Sequence, residues 1–528
     1  MHEYEIQRWG AHLVVDALVR RNVDTFFMNP GTSEVHLVSA IDQHPEAKPV
    51  LCLFEGGATG AADGFARASG RPAAVLLHLG PGLANGLANL HNARKARSPM
   101  IVVVGEHARE HLSFDTPLNS DLPSLARYAA KKVFDLRLTS EIASTVDEAV
   151  SEAITAPAGP VVIVANVDVM WSPAMKASEA DPPCIESDAS TASMDQIGAL
   201  AEAVRKGSST ALIIGGTGLS SKGVELADRI GRATGCKVFC ETFNAAHDRG
   251  AGRPYLERLP YFREHAVPKL AAFDTVVLLG SRPPVAFFAS PDEPSPLTRP
   301  DTDILALDER TSTIGALAAL AGAVEATAAA RAEPRVRVDP ISGRLNAKAI
   351  WAAMNRQLPQ DAIISDESGV TSIGADEAMR NAASHTWMNI TGGSIGQAIP
   401  VATGAALARR NAVVVAMQGD GGAMYTIQSL WTQAREQLHV VNVILRNDRY
   451  AILDHEVKRH GIPPMSPKGA RMFDLTEPAI DWAALAGSLG VKAMVAETAE
   501  EFESCLSGAL AVGRPVLIEA RLNAKERA

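Results

Sequence analysis

The feature that most constrains this chain is a recurrence. Short apolar runs stop at a glycine-rich turn and give way to a helical stretch, over and over. In residues 1–172 the runs are "TFFMNPGTSE", "PVLCLFEGG", "PAAVLLHLGPG", "PMIVVVGEH" and "PVVIVAN". In 196–335 they are "SSTALIIGGTGLS", "TGCKVFCE", "FDTVVLLGS" and "DTDILALDE". In 346–528 they are "DAIISDESG", "NAVVVAMQGDGG", "HVVNVILRNDRY", "GVKAMVAE" and "GRPVLIEARL". Strands that are apolar throughout, rather than alternating, belong to parallel sheets covered by helices on both faces. The expected fold class is therefore α/β, with three parallel-sheet domains at 1–172, 196–335 and 346–528. A length of 528 residues suits that count, at roughly 150 residues per domain. The Ser-, Pro- and Asp-rich stretch 171–195 reads as a linker, and no sequence repeat at a fixed period relates the blocks.

Composition removes several classes of function. A formal net charge of -10 and the lack of a long basic run give a nucleic-acid backbone little to bind. The five cysteines are odd in number and include no CxxC pair, so neither a disulfide framework nor a zinc knuckle is expected. Cys236 and Cys240 read as buried small hydrophobes. No apolar run reaches the roughly 18 residues of a membrane span. "MHEYEIQR" leads directly into an amphipathic pattern rather than a secretory leader, which makes a cytoplasmic location the default. "GGTGLSSKG" lacks GxGxxG spacing and reads as a tight strand–helix turn.

The sharpest local signal is Gly419–Asp420–Gly421–Gly422, directly after the apolar run "NAVVVAMQ". Parallel sheets bind ligands beyond the carboxyl ends of their strands. Glycines there allow a tight turn and bring backbone N–H groups near an anion. A carboxylate in such a turn would repel a phosphate unless a cation lay between them, and Mg²⁺ takes both kinds of oxygen. Asn447 closes the next apolar run after one β–α–β crossover length. Asp420 and Asn447 can then share one ion at neighbouring strand ends, with the Arg449 carbonyl as a third oxygen. Asp448 is the less favoured ligand, because adjacent side chains diverge at a strand end.

The segment "GDGGAMYTIQSLWTQAREQLHVVNVILRN" resembles the thiamine diphosphate motif of the decarboxylase, acetohydroxyacid synthase and pyruvate oxidase superfamily. The resemblance implies Asp420, Asn447 and the Arg449 carbonyl as metal ligands, with Gly419, Gly421 and Gly422 around the diphosphate. "TGGSIGQAIP" is similar to the segment that holds the aminopyrimidine, so Gly393 would accept its 4'-amino group and Ile395 would wedge between the cofactor's rings. "DESG", ending at Gly369, resembles another strand end near the diphosphate. A second match, "LFEGGATGAADGFARASG", implies that Glu55 bonds N1' of the aminopyrimidine, the interaction that promotes ylid formation. Following "VLCLF", Glu55 is expected at a strand end with little water, where burial raises its pKa. The same resemblance implies that Glu55 and Asp420 meet across a subunit interface, with a homodimer as the minimal unit and a homotetramer as a common assembly.

On the substrate side, Thr32 in "NPGTSE" and His78 in "LLHLGPG" resemble the serine and histidine of benzoylformate decarboxylase. A histidine titrating near neutrality suits enamine protonation, and a hydroxyl suits the substrate carboxylate. That enzyme's second histidine has no counterpart here; "GSRPPVAFFASPDEP" carries phenylalanines and prolines instead. His91 reads as structural, and His455, Glu456 and His460 lie outside the candidate set. The expected activity is nonoxidative decarboxylation of a 2-keto acid through ylid and enamine intermediates. The alternatives are an acetolactate synthase-like carboligase and a noncatalytic regulator that keeps the cofactor fold. FAD is not expected, because the middle block does not reproduce a flavin-contacting sequence, although Arg249, Arg253 and Arg258 could grip a pyrophosphate.

Overall fold

The computed structural model describes residues 8–174, 189–291 and 293–522. It contains three sheets. The first is entirely parallel, built from β1 (Thr25–Asn29), β2 (Lys48–Leu51), β3 (Ala73–His78), β4 (Met100–Glu106), β5 (Lys132–Leu136) and β6 (Pro160–Asn166), in the order β2-β1-β3-β4-β6-β5. The central strands β4 and β6 are buried along their whole lengths, as their continuous apolar runs require. The second sheet uses β7 (Thr210–Ile214), β8 (Lys237–Cys240), β10 (Glu257–Arg258), β11 (Thr275–Leu279) and β12 (Asp303–Ala306), in the order β10-β8-β7-β11-β12.

The third sheet is parallel, as expected, except at one edge. Its strands β13 (Ala362–Glu367), β14 (His385–Asn389), β15 (Val414–Gly419), β16 (Val440–Arg446), β17 (Lys492–Ala496) and β18 (Val516–Arg521) run parallel. Its edge, however, is β9 (His247–Arg249), an antiparallel strand sent across from the middle block. Charge pairing draws it there. Arg249 is buried against Asp376, whose second oxygen accepts the Tyr255 hydroxyl at 2.7 Å, and Asp248 accepts Thr386 Oγ1 at 2.8 Å. Of the expected linker 171–195, residues 175–188 lie outside the described residues.

The first and third domains pack through two helices, Glu55–Ser69 and Ala398–Ala408. They cross closely enough that a Cβ on Gly404 would stand 1.7 Å from the Ala61 carbonyl oxygen, and one on Gly64 2.0 Å from that of Val401. Beside the crossing, Arg67 pairs with buried Asp63 and donates to the Asn389 carbonyl and Thr391 hydroxyl, both at 2.9 Å. Cys52, Cys236 and Cys240 are buried and unpaired, and burial pushes the Cys52 and Cys240 thiols up to about 12. Among the described residues no helix is long and apolar enough to cross a membrane.

Candidate active site

Strands β15 and β16 are hydrogen-bonded neighbours in parallel register, Gly419 opposite Leu445, so Asp420 and Asn447 leave the sheet side by side. Asp420 is buried; its carboxylate accepts the Asp448 N–H at 2.7 Å and the Gly421 N–H at 2.9 Å. Burial, the largest influence, pushes its pKa up to about 6 against those hydrogen bonds, with the charge of Asp448 adding to the rise. A buried carboxylate in that condition favours a nearby cation. Asn447 is also buried, and its side-chain oxygen accepts the Arg449 N–H at 3.1 Å.

The third expected ligand is a backbone group. Arg449 forms an isolated bridge with Asp474, made by the Tyr450 N–H to the Phe473 carbonyl and the Leu475 N–H to the Asp448 carbonyl. That bridge does not use the Arg449 carbonyl. The Arg449 guanidinium turns away to Asp454, while Asp448 is held by Arg446 at 2.6 Å. One carboxylate, one amide oxygen and one carbonyl make an all-oxygen donor set that fits Mg²⁺. A cavity of about 370 Å³ opens beside them, lined by Asn447, Arg449 and Lys458 together with Asp448, Asp454 and Asp474. Gly421 and Gly422 are required by close approach: added Cβ atoms would stand 2.4 Å from the Tyr450 ring and 2.3 Å from the Glu367 carboxylate.

Glu367 organises the next segment, a role that was not read from the sequence. Fully enclosed at the end of β13, it accepts the Gly396, Gln397 and Ala398 N–H groups at 2.6–3.2 Å and Gln418 Nε2 at 2.7 Å. Burial drives its pKa upward against those bonds. It thereby caps the helix Ala398–Ala408 and fixes the loop before it. From the other side, Asn92 donates to the Ser394 carbonyl at 2.8 Å and accepts the Ser394 N–H at 3.1 Å. His91 lies 3.2 Å from the Gly392 carbonyl and stacks on Tyr128, in keeping with its structural reading. Held at both ends, the loop presents Gly393, at φ +74°, and a partly exposed Ile395. Gly369, at φ +56°, begins the turn after β13.

In the first domain the carboxyl ends of β1 and β3 bring together Gly31, Glu34 and His78. Glu34 is completely buried; one carboxylate oxygen accepts the Gly31 N–H at 2.8 Å and lies 2.8 Å from His78 Nδ1. Its other oxygen has no hydrogen-bond partner among the described residues and sits where a side chain on Gly105 would be. Burial raises the Glu34 pKa, opposed by the Gly31 hydrogen bond and by His78. Nothing local in "NPGTSE" marks Glu34, whose partner His78 comes from a strand more than forty residues away. Thr32 is exposed nearby, at the start of the short turn Thr32–Glu34.

Glu55 opens the helix Glu55–Ser69 beside Gly82 and accepts Asn85 Nδ2 at 3.1 Å. The expectation of a dry strand end is corrected here. Glu55 is only half-buried in the single chain, because β2 before it is the sheet's edge strand. Among the described residues no hydrogen bond or ion pair joins Glu55 to the 419–422 loop. Outside the candidate set, His455 meets the Phe262 ring at a tilt, with centroids 4.5 Å apart, and Glu456 pairs with Arg459 and His460.

The middle sheet has its own crevice, where the order reverses between β7 and β11. Gly215 and Gly216 form the expected tight turn there. The half-buried Glu241 carboxylate lies against this turn, accepting the Gly216 N–H at 3.1 Å, and desolvation pushes its pKa up to about 7. Arg97 enters from the first domain and pairs with Glu309 at 2.7 Å. The remaining cavity is about 20 Å³, where a drug-sized ligand fills roughly 300–1,000 Å³. Arg249 is committed to Asp376, Arg258 to Asn389 Oδ1 at 3.0 Å, and Arg253 to the Arg249 and His385 carbonyls at 3.2 and 3.3 Å.

Comparison with known proteins agrees with this layout. Residues 8–133 match the family model described as thiamine pyrophosphate enzyme, N-terminal TPP binding domain, and residues 367–520 match the corresponding C-terminal TPP binding domain. The chain is 41% identical to a Mycobacterium tuberculosis protein named "Putative acetolactate synthase large subunit IlvX", over 97% of this chain and 98% of that one. It is 27% identical to benzoylformate decarboxylase of Pseudomonas aeruginosa, over 96% and 97% of the two chains. The fold is similar to that of the thiamine diphosphate-dependent 4-hydroxybenzoylformate decarboxylase of Rhodococcus jostii RHA1, with a TM-score of 0.84, 23% identity, and 98% and 100% of the chains covered.

Proposed function

The chain belongs to the thiamine pyrophosphate enzymes, among the members that resemble benzoylformate decarboxylase and the acetolactate synthase large subunit, and on that premise we propose that it decarboxylates a 2-keto acid without net oxidation. Bound thiamine diphosphate supplies the electron sink for carbon–carbon cleavage. Asp420, Asn447 and the Arg449 carbonyl would hold its diphosphate through Mg²⁺. Gly419, Gly421, Gly422 and Gly369 would border that diphosphate. Gly393 and Ile395 would seat the aminopyrimidine, and Glu55 would share a proton with its N1'.

The observation that carries decarboxylation is the Glu34–His78 pair at 2.8 Å. The C1–C2 bond of the keto acid breaks, carbon dioxide leaves, and C2 takes up one proton to give an aldehyde. His78 would deliver that proton, with Glu34 as a positioning residue that fixes the ring and compensates its charge. Thr32 would hydrogen-bond the substrate carboxylate. A second reading, joining two keto acids, draws support from the similarity to the acetolactate synthase-like protein. Supplying the purified protein with thiamine diphosphate, Mg²⁺ and a panel of 2-keto acids, then identifying every product, separates the two. Aldehyde and carbon dioxide in equal amounts support decarboxylation; a hydroxyketo acid supports ligation; no turnover overturns both.

Two further parts of the reading concern assembly and flavin. Exposed Leu53 stands two residues from Glu55, and exposed Met424 and Tyr425 stand two and three residues beyond Gly422. Apolar surface beside both half-sites suits a second copy of the chain, so a homodimer is the proposed unit. Glu241 against the Gly215–Gly216 turn and the small crevice beside it support a reading without a flavin. The protein is therefore expected to purify without a flavin absorption band and to bind no FAD on titration.

A further inference from the structure

Glu367 does more than a helix cap requires. The helix Ala398–Ala408 has Gln397 at its N-cap, and that side chain makes no capping bond. A serine, threonine, aspartate or asparagine at that position would serve the helix end locally. Instead a buried carboxylate comes from another strand, β13, and among the described residues no basic side chain pairs with it. Taking a carboxylate out of water is costly unless hydrogen bonds hold its charge, and here N–H groups alone do so. The two oxygens divide between two loops. Oε2 accepts the Gln397 and Ala398 N–H groups at 2.6 and 3.2 Å, and Oε1 accepts Gln418 Nε2 at 2.7 Å. The Gly396 N–H forks between them, at 2.8 and 3.0 Å.

The two sides of that carboxylate lead to the two ends of the expected cofactor. Gly396 directly follows Ile395 and stands three residues after Gly393, so one side holds the expected aminopyrimidine seat. Gln418 lies opposite Glu367 in the parallel register of β13 and β15, two residues before Asp420, so the other side holds the expected metal and diphosphate seat. The fit leaves no slack: a Cβ on Gly422 would stand 2.3 Å from Glu367 Oε1 and 2.7 Å from Gln418 Nε2. A second clasp joins the same loops. Thr426 Oγ1 donates to the Gly396 carbonyl at 2.7 Å, and a Cβ on Gly396, at φ +92°, would meet that of Tyr425 at 2.6 Å. Loops tied through short, charge-assisted hydrogen bonds keep one separation. A ligand with two linked ends gains over its fragments only where both seats already stand at the right spacing.

We infer that Glu367 is a positioning residue that sets the spacing between the aminopyrimidine seat and the metal–diphosphate seat, so that both ends of one thiamine diphosphate bind as a unit. This rests on the cofactor contacts of the proposed function. The test is calorimetric: the full chain, freed of cofactor and supplied with Mg²⁺, is titrated with thiamine diphosphate and separately with inorganic pyrophosphate. The parent should bind the linked cofactor more tightly than the fragment. Glu367→Gln puts one acceptor and an NH₂ group where four donors converge. It should cut the ratio of the two affinities by about ten-fold or more, with pyrophosphate binding kept near that of the parent. An unchanged ratio overturns the inference, whether both affinities fall together or neither moves. Should Glu367→Gln fail to fold by circular dichroism, Gln418→Met breaks only the bond from the metal side and is read in the same way. Binding is measured without turnover, so the two readings fail separately. A parent that binds the cofactor but decarboxylates no keto acid refutes the proposed activity, and the ratio still decides the role of Glu367. A parent that binds thiamine diphosphate no better than pyrophosphate overturns that role directly.

Discussion

Asp420 shows how one residue couples folding to loading. Its pKa is raised from 3.8 to about 6 by burial, so between those values the folded chain holds a proton that the unfolded chain has released. The group therefore favours the metal-free fold in acid, and that contribution disappears as the pH rises through about 6. The loss is at most about 3 kcal/mol. Asp420→Asn should remove it: in chemical denaturation without metal, the variant should gain on the parent between pH 4.5 and 7. Mg²⁺ with thiamine diphosphate should stabilise the parent above pH 6 but leave the variant nearly unmoved. A parallel pH dependence in both proteins would show that Asp420 does not carry the effect. At the other half-site, Glu55→Gln should lower kcat by about 10²–10⁴-fold, with the fold and much of the cofactor binding retained. Cofactor C2 hydrogen exchange at the parent rate would refute its role. Asp420, Asn447 and Glu55 stood out as candidates because each follows an apolar run within a distinctive local string. Glu34 and Glu367 did not, because burial and partners from distant strands give them their roles.

At the level of elements, the long apolar strands declared themselves and the polar ones did not. β4, β6, β15 and β16 read directly from the sequence, because a buried parallel strand must be apolar on both faces. β5, with "KVFDL", and β14, with "HTWMN", carry charged or polar residues that broke the pattern. β9 has only "HDR", and its place in the third sheet depends on Asp376 and Thr386 far along the chain. The crossing of Glu55–Ser69 with Ala398–Ala408 was equally silent, since a glycine-for-contact exchange between helices has no local signature. It is nevertheless testable. Gly404→Val places carbon against the Ala61 backbone, where nothing flexible can give way, and should cost about 3 kcal/mol or more in urea denaturation. Gly508→Ala, on the helix Ala499–Val512 with no atom within 4 Å of the added Cβ, should be neutral or slightly stabilising. Similar losses at both positions would contradict the close crossing.

For the whole molecule, the question is whether one chain completes its own site. Glu55 and the 419–422 loop occupy different domains, Glu55 is half open to solvent, and apolar Leu53, Met424 and Tyr425 lie uncovered beside the two halves. If a second copy supplies the missing half, each site takes Glu55 from one chain and Asp420 from the other. Two inactive variants then repair each other. In a hybrid of Glu55→Gln and Asp420→Ala chains, one site receives both substitutions and the other receives neither, because symmetry pairs each half with the partner's complement. Co-expression under two affinity tags and sequential purification isolates that hybrid. It should show about half the parent turnover, while either variant alone stays near background. If both halves came from one chain, every site in the hybrid would carry one lesion and no activity would return. Leu53→Asp should separate the copies in sedimentation and abolish turnover together, with the circular dichroism of the fold preserved. An active monomer, or a hybrid as inactive as its parents, would place the complete site within a single chain.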